Sequence, residues 1–158
     1  MTTTEYDENG NRISVKSVSN GEEIFSYEYA YDENGRRIRR VQIIMGDDPS
    51  ITDFAYDANG NVIKETYTNG SDGAVTSTIE YTYDENGNQI KGVYTDSEGY
   101  SETITYTYDE NGNQIKIELT NVNGEVQATE VQYVLVYIPF VLSEEDMEEL
   151  APFWEEAA

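Results

Sequence analysis

The chain has 158 residues, 37% of them apolar, with 32 acidic against 9 basic side chains and a formal charge of −23. That balance repels nucleic-acid phosphates and anionic lipid headgroups, and is read first as solubility of a sheet with a large exposed face, with cations or basic proteins as the partners it would attract. With no cysteine and no histidine, disulfides, thiolate or imidazole metal ligands and the usual nucleophiles and general base are excluded.

From the N-terminus, Met1 to Thr4 show neither a basic stretch nor an apolar run, so no signal peptide is read in this chain, and no segment has the length of a membrane span. The pentapeptide Tyr6-Asp7-Glu8-Asn9-Gly10 then returns with its tyrosine at Tyr31, Tyr56, Tyr83 and Tyr108, with Ala58 in place of the glutamate in the third copy, in steps of 25, 25, 27 and 25 residues. Each copy puts Asn-Gly between an aromatic run and an apolar run led by Ile13, Ile38, Ile63, Ile90 or Ile115. That pattern predicts a β-hairpin with a two-residue turn and positive φ at both Asn and Gly. Counting outward from such a turn sets Tyr6 across from Ile13, Tyr31 from Ile38, Tyr56 from Ile63, Tyr83 from Ile90 and Tyr108 from Ile115.

The coarse strands are residues 2–6, 12–18, 23–31, 37–44, 51–56, 62–67, 76–83, 89–95, 101–108, 114–120 and 125–138, joined by turn formers at Asn20-Gly21, Met45 to Ser50, Asn69 to Gly73, Asp96 to Gly99 and Asn123-Gly124. Period-two alternation places Phe25, Tyr27, Tyr29 and Tyr31 on one face, expected to be the core side. Thr82 across from Lys91 and Thr107 across from Lys116 lie on the solvated side. The fold class predicted is all-β: an antiparallel meander of about eleven strands, curled or partly closed around its tyrosines. Burial of each tyrosine would be worth roughly 4 to 6 kcal/mol gross.

Tyr133 continues the spacing, but Val134 to Ile138 replaces the acidic turn and is apolar on both faces. Residues 134–142 are read as a terminal strand and connection, and 143–157 as a capping helix opened by Ser143, with Met147, Leu150, Ala151 and Trp154 on one side and Pro152 as an interruption. The whole of 1–158 is taken as a single domain, with repeats over 2–133.

The Asp-Glu-Asn-Gly-Asn run spaces oxygen atoms closely, but its glycine is fourth rather than sixth and no glutamate follows at twelve, so it is read as turn chemistry and no metal or cofactor is expected. Arg36, Arg37, Arg39 and Arg40 are expected to pair with Asp32, Glu33 and Asp53. No pair of carboxylates stands out as a catalytic acid and base, and the chain is read as non-enzymatic. Tyrosine faces can stack on sugar rings, so Tyr29, Tyr81 and Tyr106 are the candidate ligand-facing residues, with a glycan or a protein as partner and a monomer or weak homodimer as the oligomeric state.

The tandem Tyr-Asp-x-x-Gly pattern, as in Tyr31-Asp32-Glu33-Asn34-Gly35-Arg36, resembles the YD repeats of Rhs-type bacterial proteins and teneurins over residues 2–133. The resemblance implies a spiralling β-sheet shell. Its nearer likeness is to short bacterial surface proteins of no assigned activity, which implies an extracellular or surface location. The near-identical turns also fit an engineered sequence.

Overall fold

The computed structural model describes residues 1–131. They form eleven strands in one antiparallel sheet whose spatial order is the chain order: β1 (Thr2–Tyr6), β2 (Arg12–Ser19), β3 (Glu22–Tyr31), β4 (Arg37–Ile44), β5 (Ser50–Tyr56), β6 (Val62–Asn69), β7 (Val75–Tyr83), β8 (Gln89–Asp96), β9 (Ser101–Tyr108), β10 (Gln114–Thr120) and β11 (Val126–Val131). The expected meander is present, with strand bounds within about one or two residues of the sequence-based ones for β1 to β10. The sheet is not closed: β1 and β11 do not pair with each other among the described residues. The predicted capping helix, and the end of the last strand, lie outside the described residues.

The tight turns differ from expectation, and the aspartate is the reason. In each repeat the Asp Oδ1 accepts the backbone N–H groups two and four residues on: Asp57 from Asn59 at 2.9 Å and Asn61 at 2.8 Å, and Asp84 from Asn86 and Asn88 at the same distances. The aspartate carbonyl takes the glycine N–H, as from Gly60 to Asp57 at 3.2 Å. Only the glycine then needs the left-handed region, Gly60 at φ 92°, and none of the turn asparagines has positive φ. The result is a type I turn completed by a glycine bulge. The two-residue turn with both φ positive occurs instead at Asn20 (54°) and Gly21 (86°), between β2 and β3.

This turn choice shifts the register by one residue. Tyr6 pairs with Arg12, Tyr31 with Arg37, Tyr56 with Val62, Tyr83 with Gln89 and Tyr108 with Gln114. The isoleucine expected opposite each tyrosine is the residue the ladder skips. Beyond the bulge the alternation resumes as expected, with Thr82 across from Lys91 and Thr107 across from Lys116.

Two faces result. Tyr27, Tyr29, Arg40, Thr52, Tyr67, Ile79 and their ladder partners share the tyrosine face, while the other carries Arg39, Lys64, Thr66 and Thr78 beside Asp53, Glu80, Val41 and Ile51. The expected tyrosine core is absent: no hydrophobic side chain among the described residues is buried, and only Ser17, Ser26 and Thr52 are enclosed. Among the described residues the sheet has no second layer to bury its apolar face against, so alternation alone leaves the rings half-exposed.

Candidate functional site: the tyrosine face

Four motif tyrosines share one role. Tyr31 donates its hydroxyl hydrogen bond to the Arg12 carbonyl at 2.8 Å, Tyr56 to Arg37 at 2.7 Å, Tyr83 to Val62 at 2.8 Å and Tyr108 to Gln89 at 2.9 Å. Each acceptor is the residue that opens the bulge of the preceding hairpin, where ladder pairing is interrupted. The phenol therefore satisfies a bulge carbonyl and ties one repeat to the next. Tyr6, in the first hairpin, makes no such bond and is 61% exposed.

Tyr29 lies in a guanidinium-rich patch. Arg12 from β2 sits 5.0 Å from its ring and Arg37 from β4 sits 5.6 Å away, Arg37 also approaching Phe54 at 5.1 Å. Arg12 Nη2 donates to the Tyr29 hydroxyl at 3.3 Å. Of the arginines expected to pair with acids, Arg36 bridges to Asp32 at 2.7 Å, and Arg39 holds Asp53 with two bonds of 2.6 and 2.9 Å. Both pairs are solvated enough to add little stability. Arg37 and Arg40 have no carboxylate partner among the described residues; Arg40 donates to Thr52 Oγ1 at 3.1 Å, and the Nε groups of both are enclosed without an acceptor. The expected pairing thus holds for two of the four arginines, because Arg37 and Arg40 lie on the tyrosine face, away from Asp53.

Tyr81 and Tyr106 do come together, beside Gly92. Across the sheet Tyr81 pairs with Gly92 and Gly92 with Ile104, while one row along the strands Ile79, Tyr94 and Glu102 are paired in the same way. With Tyr106 and Gln89 on the remaining sides, these residues enclose a notch of about 240 Å³ where Gly92 contributes no side chain. Sequence reasoning named the two tyrosines but missed the glycine. The signal was its place two residues after Ile90, where the other repeats carry Val15, Arg40, Glu65 and Ile117.

Behind Tyr81, Glu65 accepts hydrogen bonds from Tyr67 at 2.6 Å and Tyr81 at 3.0 Å. Burial, followed by the Glu65 hydrogen bond, pushes the Tyr67 phenol up to about 12, and burial and the Glu65 charge push Tyr81 up as well. A raised folded-state value favours the neutral phenol, so this contribution is complete below pH ~10 and is lost as pH rises through the folded-state range. Absorbance titration of phenolate should show Tyr67 and Tyr81 ionising after the exposed tyrosines, and Glu65→Gln should bring both down.

A larger hollow of about 500 Å³ lies between the first two turns, lined by Asp7, Asn11, Asp32 and Asn34 among others. The Asp7 and Asp32 carboxylates already accept the turn bonds. Among the described residues no group of three or more acidic side chains is placed to hold a metal, and no helix is long and apolar enough to cross a membrane.

Fold and face together define an antiparallel β-repeat protein built from tandem hairpins. A family model described as "Uncharacterised protein" matches residues 3–134, and the chain belongs to that family. No curated protein matches the sequence. Among solved structures it is similar to a crystal structure of TcdB2-TccC3-Cdc42 and to one of TcdB2-TccC3 without hypervariable C-terminal region. Each has 17% identity and a TM-score of 0.30, covering 82% of this chain and 9% of the other, so the chain spans a small part of those proteins.

Proposed function

We propose that the chain is a non-enzymatic β-repeat scaffold of the YD type, acting as one unit, whose tyrosine face is built to be covered by another segment. The observation that carries this is the absence of any buried apolar side chain among the described residues. A sheet of eleven strands with half-exposed rings gains little from burial until something packs on it. The segment 143–157 is the intrachain candidate: it is rich in glutamate and carries Met147, Leu150 and Trp154, chemistry that suits rings interleaved with the guanidiniums of Arg37 and Arg40, which have no carboxylate partner among the described residues.

Deleting residues 143–158 is expected to expose the face and drive dimerisation or aggregation, with a lower melting temperature. Size-exclusion chromatography and thermal melts check this; an unchanged monomer with unchanged melting would sink the capping role. Binding of a peptide or carbohydrate by the same face is a second function, favoured by its half-exposed rings, and the small notch at Gly92 suits a peptide side chain rather than a sugar chain. A glycan array followed by titration of intrinsic fluorescence separates the two ligand classes.

A further inference from the structure

We propose that the notch over Gly92 is a single-residue receptor for an alkylammonium group, such as the end of a lysine side chain on a basic peptide; this rests on the peptide-binding function above. The floor of the notch is specific to the fourth repeat. Val15, Arg40, Glu65 and Ile117 fill the corresponding position in the other hairpins, so the hole occurs once among the five. Backbone conformation does not call for the glycine, because Gly92 lacks a positive φ. Space does not forbid a side chain either: a Cβ built there meets Gln89 Nε2 at 3.6 Å and Tyr81 ring carbons at 3.8 and 3.9 Å, ordinary contacts. A glycine inside a strand weakens it, and what it provides here is the opening.

The lining selects the ligand. Tyr81, Tyr94 and Tyr106 supply three aromatic rings and Ile79 and Ile104 apolar walls, with Glu102 the only charged residue of the lining and no cation among it. Anions are disfavoured by that carboxylate. Tyr81 donates to Glu65 at 3.0 Å, and a phenol hydrogen-bonded to a carboxylate has a more electron-rich ring. Rings arranged beside a carboxylate attract a cation through their quadrupoles, and the chain's net charge of −23 raises the local cation concentration. Size sets the limit: about 240 Å³ lies below the roughly 300 to 1,000 Å³ of ordinary ligand pockets, yet above the roughly 150 Å³ that holds one benzene. One compact group fits and an oligosaccharide does not.

The test titrates the full-length chain with tetramethylammonium, Nα-acetyl-lysine amide, a lysine-bearing peptide, the neutral isostere neopentyl alcohol and methyl glucoside, following tyrosine ring resonances by NMR. Saturable binding of the cations, with dissociation constants on the order of millimolar and shifts confined to Tyr81, Tyr94 and Tyr106, is expected. The neutral isostere should bind about tenfold more weakly. Peptide binding with no small-molecule binding would still support the site if the same three rings shift. Gly92→Val should abolish binding while keeping or raising the melting temperature, and Glu102→Gln should weaken the cations without affecting the neutral probe. Overturning results are equal or better binding of methyl glucoside or neopentyl alcohol, no saturable binding of any cationic probe including the lysine-bearing peptide, or undiminished binding by Gly92→Val. None of these bears on the truncation experiment, which reports on covering of the whole face.

Discussion

A chain carrying Tyr31→Phe, Tyr56→Phe, Tyr83→Phe and Tyr108→Phe together is expected to lose a large share of its stability, although every ring is retained. Each substitution removes only the hydroxyl that donates to the preceding bulge carbonyl at 2.7 to 2.9 Å. Such a bond is worth about 0.5 to 1.5 kcal/mol net, less where water can replace it, so the quadruple change costs up to about 2 to 6 kcal/mol. Against a typical total of about 5 to 15 kcal/mol, that decides whether the sheet persists at elevated temperature. Tyr6→Phe is the internal control, because Tyr6 is exposed and makes no such bond. Denaturant titration of the five single variants and the quadruple variant checks the assignment. Equal losses for Tyr6→Phe and the other four would show that the hydroxyl bond is not what joins the repeats.

Acid is expected to unfold the sheet through its turns. Hydrogen bonds from the Asn11, Asn61, Asn88 and Asn113 side chains, then from turn N–H groups, hold Asp7, Asp57, Asp84 and Asp109 below the ordinary carboxylate value. Partial burial raises Asp32, but the backbone and side chain of Arg36 more than offset it. A depressed folded-state value stabilises the fold above the unfolded value near pH ~4 and is lost as pH falls through the folded-state range. Between pH 7 and that range, protonation of unpaired acids relieves repulsion among 32 acidic side chains. Stability should therefore rise slightly on mild acidification and fall steeply below pH ~4, as circular-dichroism melts across pH 7 to 2 would show.

Asn121 provides the means to isolate the cause. Its Oδ1 accepts from the N–H groups of Asn123 and Glu125, both at 3.0 Å, in the same turn geometry with an amide in place of the acceptor carboxylate, while its Nδ2 donates to Glu125 Oε2 at 2.9 Å. Replacing Asp7, Asp32, Asp57, Asp84 and Asp109 by asparagine should keep the hairpins at neutral pH, with some loss from the missing carboxylate bonds, and blunt the acid transition. An acid midpoint unchanged by these five substitutions would place acid sensitivity elsewhere.

Strand number, order and approximate bounds were legible because Gly-containing turns and period-two alternation are local signals, each spanning only a few residues. The turn type was not read correctly because Asn-Gly was weighed without the aspartate two residues before the asparagine. Asp57 shows the consequence: its Oδ1 captures two backbone N–H groups and stabilises a type I turn, which moves Tyr56 from Ile63 to Val62. The expected pairing of Tyr31 with Ile38 failed for the same reason. Among the candidate ligand-facing residues, Tyr81 and Tyr106 meet at one notch while Tyr29 is engaged by Arg12 and Arg37, a difference set by neighbours two strands away or on flanking strands.

By itself, then, the sequence determined a tandem-hairpin antiparallel sheet with tyrosines on one face, because repeated turns and alternation act within a single hairpin. Only the tertiary structure decided that the sheet stays open, that among the described residues the tyrosine face buries no apolar side chain, that the motif phenols bridge successive repeats, and that Gly92 leaves a hole. Those properties depend on which side chains become neighbours on different strands, two for the phenol bonds and three for the notch, and that adjacency is fixed by the bulge register rather than by any one stretch of chain.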